Sequence, residues 1–351
     1  MRKLNFSWKL LILGLTVFVL AACGEKSQED VVEELQQNVE EMTGYKSQAE
    51  MVMNTGQEEQ NFTIDIWHQK EDFYRVALSS KTDEKGSQII LKNDEGVFVL
   101  TPALDKSFKF QTEWPDNGSQ PYLYQSLVED VVADPEATFE TTENAYIFKT
   151  KTNYQSNNNL PFQEIYFDKE SYTPTLVKVL DKDSNPLVEV KFSSFEMNPT
   201  FNEDDFSMEK NMSSKDKGEE DSKDDEEDAS SPASTDPSEN VLEVIMPEYT
   251  AGAEVMEKRE VDLENGKRVI VTFDGEKNFT LVQENRNSVP TLNAPQEVEG
   301  DIVNLGHAIG ALSDNKIEWS YNGVDFTLAS EELTREELVQ VAQSVQGKAV
   351  K

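Results

Sequence analysis

The chain is poor in the residues that carry most metal and nucleophilic chemistry. Its 351 residues include one cysteine, Cys23, and two histidines, His68 and His307. A single cysteine excludes an internal disulfide, so packed cores must hold whatever folds. With the histidines far apart in sequence, a Cys/His zinc site is excluded and a catalytic His-Cys pair is disfavoured. Each histidine reads as an ordinary strand or loop residue. Gly-x-Ser-x-Gly, a phosphate-cradling glycine loop and metal-ligand spacing are all missing, so the expectation is no enzyme, no metal and no cofactor. Basic charge is scarce as well: 32 Lys and Arg stand against 68 Asp and Glu, a net charge of -36. Acid outnumbers base throughout the chain, which repels a phosphate backbone and argues against nucleic acid as a partner. The same field disfavours broad contact with an anionic membrane surface. The leading apolar run, Leu10 to Leu20, is too short for a stable membrane span.

That run follows Arg2, Lys3 and Lys9 and ends in Leu20-Ala21-Ala22-Cys23-Gly24, the charged-then-apolar order of a secretory signal. The stretch closely resembles a bacterial lipoprotein signal, which is cut before a cysteine whose sulfur carries a diacylglyceryl group. The resemblance implies a signal peptide over residues 1–22 and lipidation at Cys23. It also implies anchorage at the extracellular face of the cell membrane of a Gram-positive bacterium. Each buried methylene contributes about 0.8 kcal/mol, so two long acyl chains hold a protein on a bilayer that one short chain would leave.

Residues 28–211 read as a first domain. Ser27 is placed to cap a helix with Glu29 and Asp30 in its first turn. Val32, Leu35, Val39 and Met42 form its apolar stripe, Val31 widens that stripe, and Gly44 is the expected stop. From Tyr45 the period changes to two, with Phe62, Ile64 and Ile66 on one face. Strands are expected at 73–78, 88–92, 97–101 and 107–111. A second helix is expected from Pro121 to Ala133, with Leu123, Leu127, Val128 and Val131 apolar. Strands follow at 138–141, 145–150, 163–167, 175–180 and 187–195. A wide antiparallel sheet of this kind curls, and its concave face needs filling.

Several short stretches share one order with a known family: Glu71-Asp72-Phe73-Tyr74-Arg75, Asp94-Glu95-Gly96-Val97-Phe98-Val99, Thr101-Pro102 with Asp105-Lys106-Ser107, Phe167-Asp168 with Tyr172 and Pro174, then Phe192 to Phe195, Asn198-Pro199 and Asp205-Phe206. Over about residues 28 to 208 the chain resembles the LolA-like lipoprotein carriers. That resemblance implies an unclosed barrel lidded by helices, and a concave face that binds acyl chains of lipids or lipoproteins. The lid residues would be Val32, Leu35, Val39 and Met42 on one side and Leu123, Leu127 and Val131 on the other. Two arrangements are open: these side chains border a cavity, or they close the core completely. A tethered protein cannot ferry cargo between two membranes, so the expected action is local.

Residues 212–240, rich in Lys, Asp, Glu, Ser and Pro, read as an acidic disordered linker. Residues 241–351 read as a smaller α+β domain with antiparallel strands and a C-terminal helix. Its strands are expected at 254–263, 267–273, 278–284, 317–321 and 324–328. Turns fall at Asn265-Gly266 and Asn322-Gly323, and Trp319 and Phe326 pair across a hairpin. Thr334 and Glu337 form a capping box, Leu333 and Leu338 a staple, and Leu338, Val341, Ala342 and Val345 the buried stripe. The order Gly310-Ala311-Leu312, Ile317-Glu318-Trp319, Gly323 and Leu333 to Leu338 resembles a small uncharacterised domain of Firmicute envelope proteins and anti-sigma regulators. The two-domain layout resembles RseB-type envelope-stress sensors. Two functions are therefore carried forward: a membrane-anchored carrier or chaperone for acyl chains, and a sensor whose second domain docks a membrane regulatory protein.

Overall fold

The computed structural model describes residues 26–54, 59–70, 72–80, 87–116, 118–153, 160–213, 242, 244–263, 266–286, 295–305, 308–321 and 323–345. The leader, Cys23 and all but the first two residues of the expected linker lie outside these, as do Glu71, Asn265, His307 and Asn322.

Ser27 opens the first helix, α1 (Gln28–Glu41), with a capping box: its hydroxyl accepts the Asp30 N–H and the Asp30 carboxylate accepts the Ser27 N–H. Val31 and Leu35, one turn apart, are fully buried. Met42 closes the helix by donating its N–H to the Asn38 carbonyl at 3.0 Å. Gly44 is not the stop that the sequence suggests. It opens β1 (Gly44–Met53) at φ +156°, where a Cβ would lie 2.3 Å from the His68 carbonyl oxygen of the neighbouring strand. A close approach between strands, not helix termination, asks for glycine there.

Five antiparallel strands continue the meander: β2 (Gln60–Gln69), β3 (Phe73–Ser80), β4 (Gln88–Asn93), β5 (Gly96–Thr101) and β6 (Lys106–Gln111). Helix α2 (Tyr124–Ala133) then leads into β7 (Thr138–Thr141), β8 (Ala145–Lys151), β9 (Phe162–Asp168), β10 (Pro174–Leu180) and β11 (Pro186–Met197), which returns to pair with β1. Helix α2 starts three residues later than expected. Pro121 sits instead in a turn whose Leu123 N–H returns to the Gln120 carbonyl at 3.2 Å, so its fixed φ serves the turn.

Val97 and Phe110 from one wing of the sheet share a core with Tyr146 and Phe167 from the other, and with Leu35 and Leu127 of the helices. Strands so far apart in the sheet can meet only if it curls around the helices. The two edges do not pair with each other, so the barrel is unclosed. On the convex face, Phe201, Phe206, Met208 and Met212 cover Ile89, Leu91, Phe98 and Leu100. The last two covering residues belong to α3 (Met208–Ser213), which runs past the boundary expected at 211.

In the second half, β12 (Glu254–Leu263), β13 (Gly266–Asp274) and β14 (Phe279–Arg286) precede β15 (Gln296–Glu299), β16 (Asp301–Asn304), β17 (Ile309–Leu312), β18 (Lys316–Tyr321) and β19 (Val324–Ala329). All but β15 make one antiparallel sheet in the order β12-β13-β14-β19-β18-β17-β16. Trp319 and Phe326 are direct cross-strand partners, their rings stacked at 5.0 Å. Helix α4 (Arg335–Gln343) carries the expected Thr334 and Glu337 capping box and buries Leu338, Val341 and Ala342. The α+β class holds for both halves.

One correction concerns the first sheet. It is not wholly antiparallel, because β15 joins its edge parallel to β6. Gly300 (φ +141°) bends the chain directly from β15 in one sheet to β16 in the other, and a Cβ there would lie 2.6 Å from the Leu312 carbonyl oxygen. Val298, Ile309 and Ala311 are buried in the first core, so the second half supplies part of that core.

This bend allows a comparison. Gly300 and Gly323 both have positive φ, but only Gly300 meets backbone, since nothing lies within 4 Å of a Cβ at Gly323. Gly300→Ala is expected to cost about 3 kcal/mol and Gly323→Ala about 1 kcal/mol in urea unfolding. Equal costs would show that the close approach does not constrain the bend.

Candidate functional site

The alternation of β2 carries one step beyond Ile66 and turns His68 inward, 5 % exposed. There it stacks on Tyr74 at 4.4 Å between ring centres and lies 5.5 Å from Tyr45. Tyr45, fully buried, stacks on Phe195 at 4.9 Å and accepts the Tyr124 N–H at 3.2 Å, which ties the start of α2 to the sheet. Trp114 meets Tyr74 edge-on at 5.6 Å. The concave face is thus an aromatic box beneath two helices.

Burial sets its protonation states. Desolvation pushes the Tyr45 hydroxyl well above the usual phenol range and lowers the His68 imidazole to about 4, so His68 is neutral at physiological pH. Its Nδ1 lies 3.1 Å from the Phe73 carbonyl.

The seven lid residues expected from the sequence come together on this face. Leu35, Met42, Leu123, Leu127 and Val131 are at most 3 % exposed, and Val32 and Val39 are half-buried against the same core. In this structure the stripes pack on the sheet and on each other. Only Val39 and Met42 border an opening, of about 450 Å³, whose other walls include His68, Lys70, Asp72, Tyr74 and Gln125. Gln125, in the first turn of α2, has both ends of its amide shielded from solvent and without a hydrogen-bond partner among the described residues. A polar group could use this donor and acceptor only once a movement of α2 uncovered them.

The far end of α2 is latched. Asp130 accepts hydrogen bonds from Ser119 Oγ at 2.9 Å and from Gln163 Nε2 of β9 at 2.6 Å. Asp134 accepts from the Thr150 hydroxyl and the Lys151 N–H, at 3.1 and 2.9 Å. Burial pushes the Asp130 carboxyl up to about 6 against the pull of its two donors.

Sequence reasoning reached the aliphatic lid but missed Tyr45, Tyr74, Trp114, Tyr124, Gln125 and Asp130. One signal was available: Asp130 follows Leu127 by three positions, a carboxylate on the face that a helix buries. The inward turn of His68 was also readable, two residues beyond Ile66. Among the described residues no group of three or more His, Cys, Asp or Glu is placed to hold a metal, and no helix is long and apolar enough to cross a membrane.

The sequence profile of the family described as "Sporulation protein YdcC-like" matches residues 2–206, the stretch that contains α1, α2 and the eleven contiguous strands of the first sheet. Sporulation protein YdcC of Bacillus subtilis (strain 168) is 44 % identical over 352 residues, covering all of both chains. The chain belongs to the family of YdcC-like sporulation proteins. Solved structures with a related course include the Pseudomonas aeruginosa MucA/MucB complex, at TM-score 0.33 and 14 % identity over 92 % of this chain and 100 % of that one. A LolA superfamily protein from Nitrosomonas europaea scores 0.30 at 7 % identity, over 53 % of this chain and 100 % of its own. At such scores the function of this family member has to be argued from its own residues.

The latch and the box titrate in opposite senses. Asp130, with a folded pKa above its unfolded one, contributes most below about pH 4 and loses that contribution as pH rises to about 6. His68, with its folded pKa depressed, contributes fully above about 6.5 and loses that contribution as pH falls to about 4. Asp130→Asn removes the first effect and leaves the second. Between pH 7 and pH 4 the variant is expected to lose about 2–3 kcal/mol more stability than the parent. Parallel curves of urea midpoint against pH would contradict this assignment.

Proposed function

We propose that this chain is a lipid-anchored envelope protein of sporulation that binds an acyl chain on the concave face of its first sheet. In this reading α1 and α2 are the lid. It acts locally, at the extracellular face of the membrane that holds Cys23, and not as an enzyme. The observation that carries the proposal is the opening at the seam of the two helices, with the unpartnered Gln125 amide at its rim and aromatic side chains behind it. An acyl chain suits the apolar interior, and an ester or amide at its head suits Gln125. Entry requires α2 to tilt away from the sheet at the Tyr124 end while the Asp130 and Asp134 latch holds the other end.

A second reading, an envelope sensor, draws support from β15. A strand of the second half completes the edge of the first sheet, so a ligand that shifts the first core would be felt where a regulatory partner could dock.

Two measurements test the first reading. Native mass spectrometry of full-length protein, after exchange out of detergent, is expected to show a bound lipid mass beyond the covalent modification of Cys23. Gln125→Trp, which fills the mouth, is expected to weaken uptake of a fluorescent fatty acid at least tenfold with little change in thermal midpoint. Unchanged uptake would sink the assignment of the entrance. Separately, Cys23→Ser is expected to move the protein from the membrane fraction to the medium.

A further inference from the structure

On the reading that acyl chains enter at the helix seam, the wall of that opening also specifies the head they carry. Two of its side chains are charged, Lys70 and Asp72, and their charges are opposite. His68 beside them is neutral, and burial holds the Tyr74 hydroxyl above the usual phenol range. These groups already have partners in the protein. Asp72 pairs with Lys92 at 2.8 Å, Lys70 donates to the Glu40 carbonyl at the end of α1, and His68 Nδ1 lies 3.1 Å from the Phe73 carbonyl. The lining side chains therefore sum to no charge, and the protein's -36 repels an anion on approach. An ionised head would give up its hydration here for little return.

Gln125 differs from the rest of the wall. Its Nε2 and its Oε1 are both shielded and both without a partner, so turning the amide over changes nothing. A buried polar group in that condition is costly, and a ligand that satisfies it recovers the cost. The N–H and the oxygen stand side by side on one planar end of the side chain. They are matched by a head that presents an acceptor and a donor side by side, as a protonated carboxyl and a primary carboxamide do. An ester presents acceptors only and would leave Oε1 unpaired. The amide comes within reach when the Tyr124 end of α2 leaves the sheet, the same movement that admits the chain.

We infer that the acyl ligand carries an uncharged head with adjoining donor and acceptor, a carboxyl in its protonated form or a carboxamide, held by paired hydrogen bonds to Gln125. A fatty acid then binds as the acid and not as the carboxylate, which its desolvation also favours. The apolar trough selects the chain and Gln125 selects the head.

The test is displacement of a fluorescent fatty acid from the full chain by dodecanamide, dodecanoic acid and methyl dodecanoate. The amide is expected to bind at least about fivefold tighter than the ester. The affinity of the acid relative to the amide is expected to fall about tenfold or more from about pH 5 to about pH 8. Taking that ratio cancels titration of the protein itself, including Asp130 near 6 at the other end of α2. In Gln125→Met the three heads should agree within about twofold, at an equal or higher thermal midpoint, because an unpartnered buried amide has been removed. A lower midpoint would show that the amide already has a partner, and would overturn the inference. Equal binding of the three heads to the parent protein would overturn it too, while leaving the acyl site in place. An acid that gains on the amide as pH rises would give the head to Lys70 instead. Absence of any uptake of the fluorescent fatty acid would remove the acyl site and this inference together.

Discussion

The rest of the first half depends on one constraint: a sheet that curls without closing leaves an apolar trough, and that trough must be covered. Two short helices cover it. With 14 and 10 residues, α1 and α2 are near or below the length at which a helix is stable alone in water, so each exists because its stripe is buried. Dependence runs both ways, since the inner faces of β1, β2, β8 and β9 would otherwise meet solvent. This sets the energetic scale for any lid motion. Helix α2 buries Tyr124, Leu127, Val128 and Val131, together about 6–12 kcal/mol of apolar transfer. At about 0.8 kcal/mol per methylene, a ligand must bury roughly eight to fifteen methylenes to replace it. A long acyl chain meets that demand and a small polar metabolite does not.

The two halves are joined by geometry that links their stability. Gly300 passes one extended segment from the edge of the first sheet to the edge of the second, and Ile309 and Ala311 carry the first core onto β17. Arg335, in the first turn of α4, reaches Asp301 at 2.7 Å, which ties the last helix to the same bend. These ion pairs are partly exposed and each contributes little, about 0–1 kcal/mol. The shared apolar contacts and the four-residue parallel pairing carry the joint. A deletion drawn at the expected boundary near 241 would therefore strip β15 from β6 and open the cluster of Phe110 and Val99 to water.

What the sequence disclosed follows the range of the forces involved. Alternation is a local signal, and β2 to β11 lie near the bounds it suggested because most of them bury one face, β4 and β5 being covered on both. Caps are local too, and Ser27 with Asp30 and Thr334 with Glu337 are found where the residue order places them. By contrast β15, β16 and β17 have only four residues each, and β17 is buried on both faces, so alternation marks them weakly. For β15 the partner is distant as well, since Gln296 pairs with Phe108. The site divides in the same way. Leu35 and Leu127 announce themselves by helical spacing, whereas the box of Tyr45, His68, Tyr74 and Trp114 is assembled from three strands and a loop and exists only once they are folded.

Charge does not hold this fold together. Most of the ion pairs lie at least partly in solvent, where they add little to stability, so an excess of 36 negative charges is tolerated without being what holds the fold. Its effects are on position and encounter. On the proposed anchoring, an acidic body tied by a short stem to an anionic membrane is pushed outward, and the push fades within about 8 Å at physiological salt. The first sheet would then stand just clear of the headgroups. On the proposed binding mode an acyl chain would then be taken from the bilayer through the seam of α1 and α2, and not by laying the protein's face on the surface. Apolar burial decides what the trough holds, and repulsion decides how it meets its source.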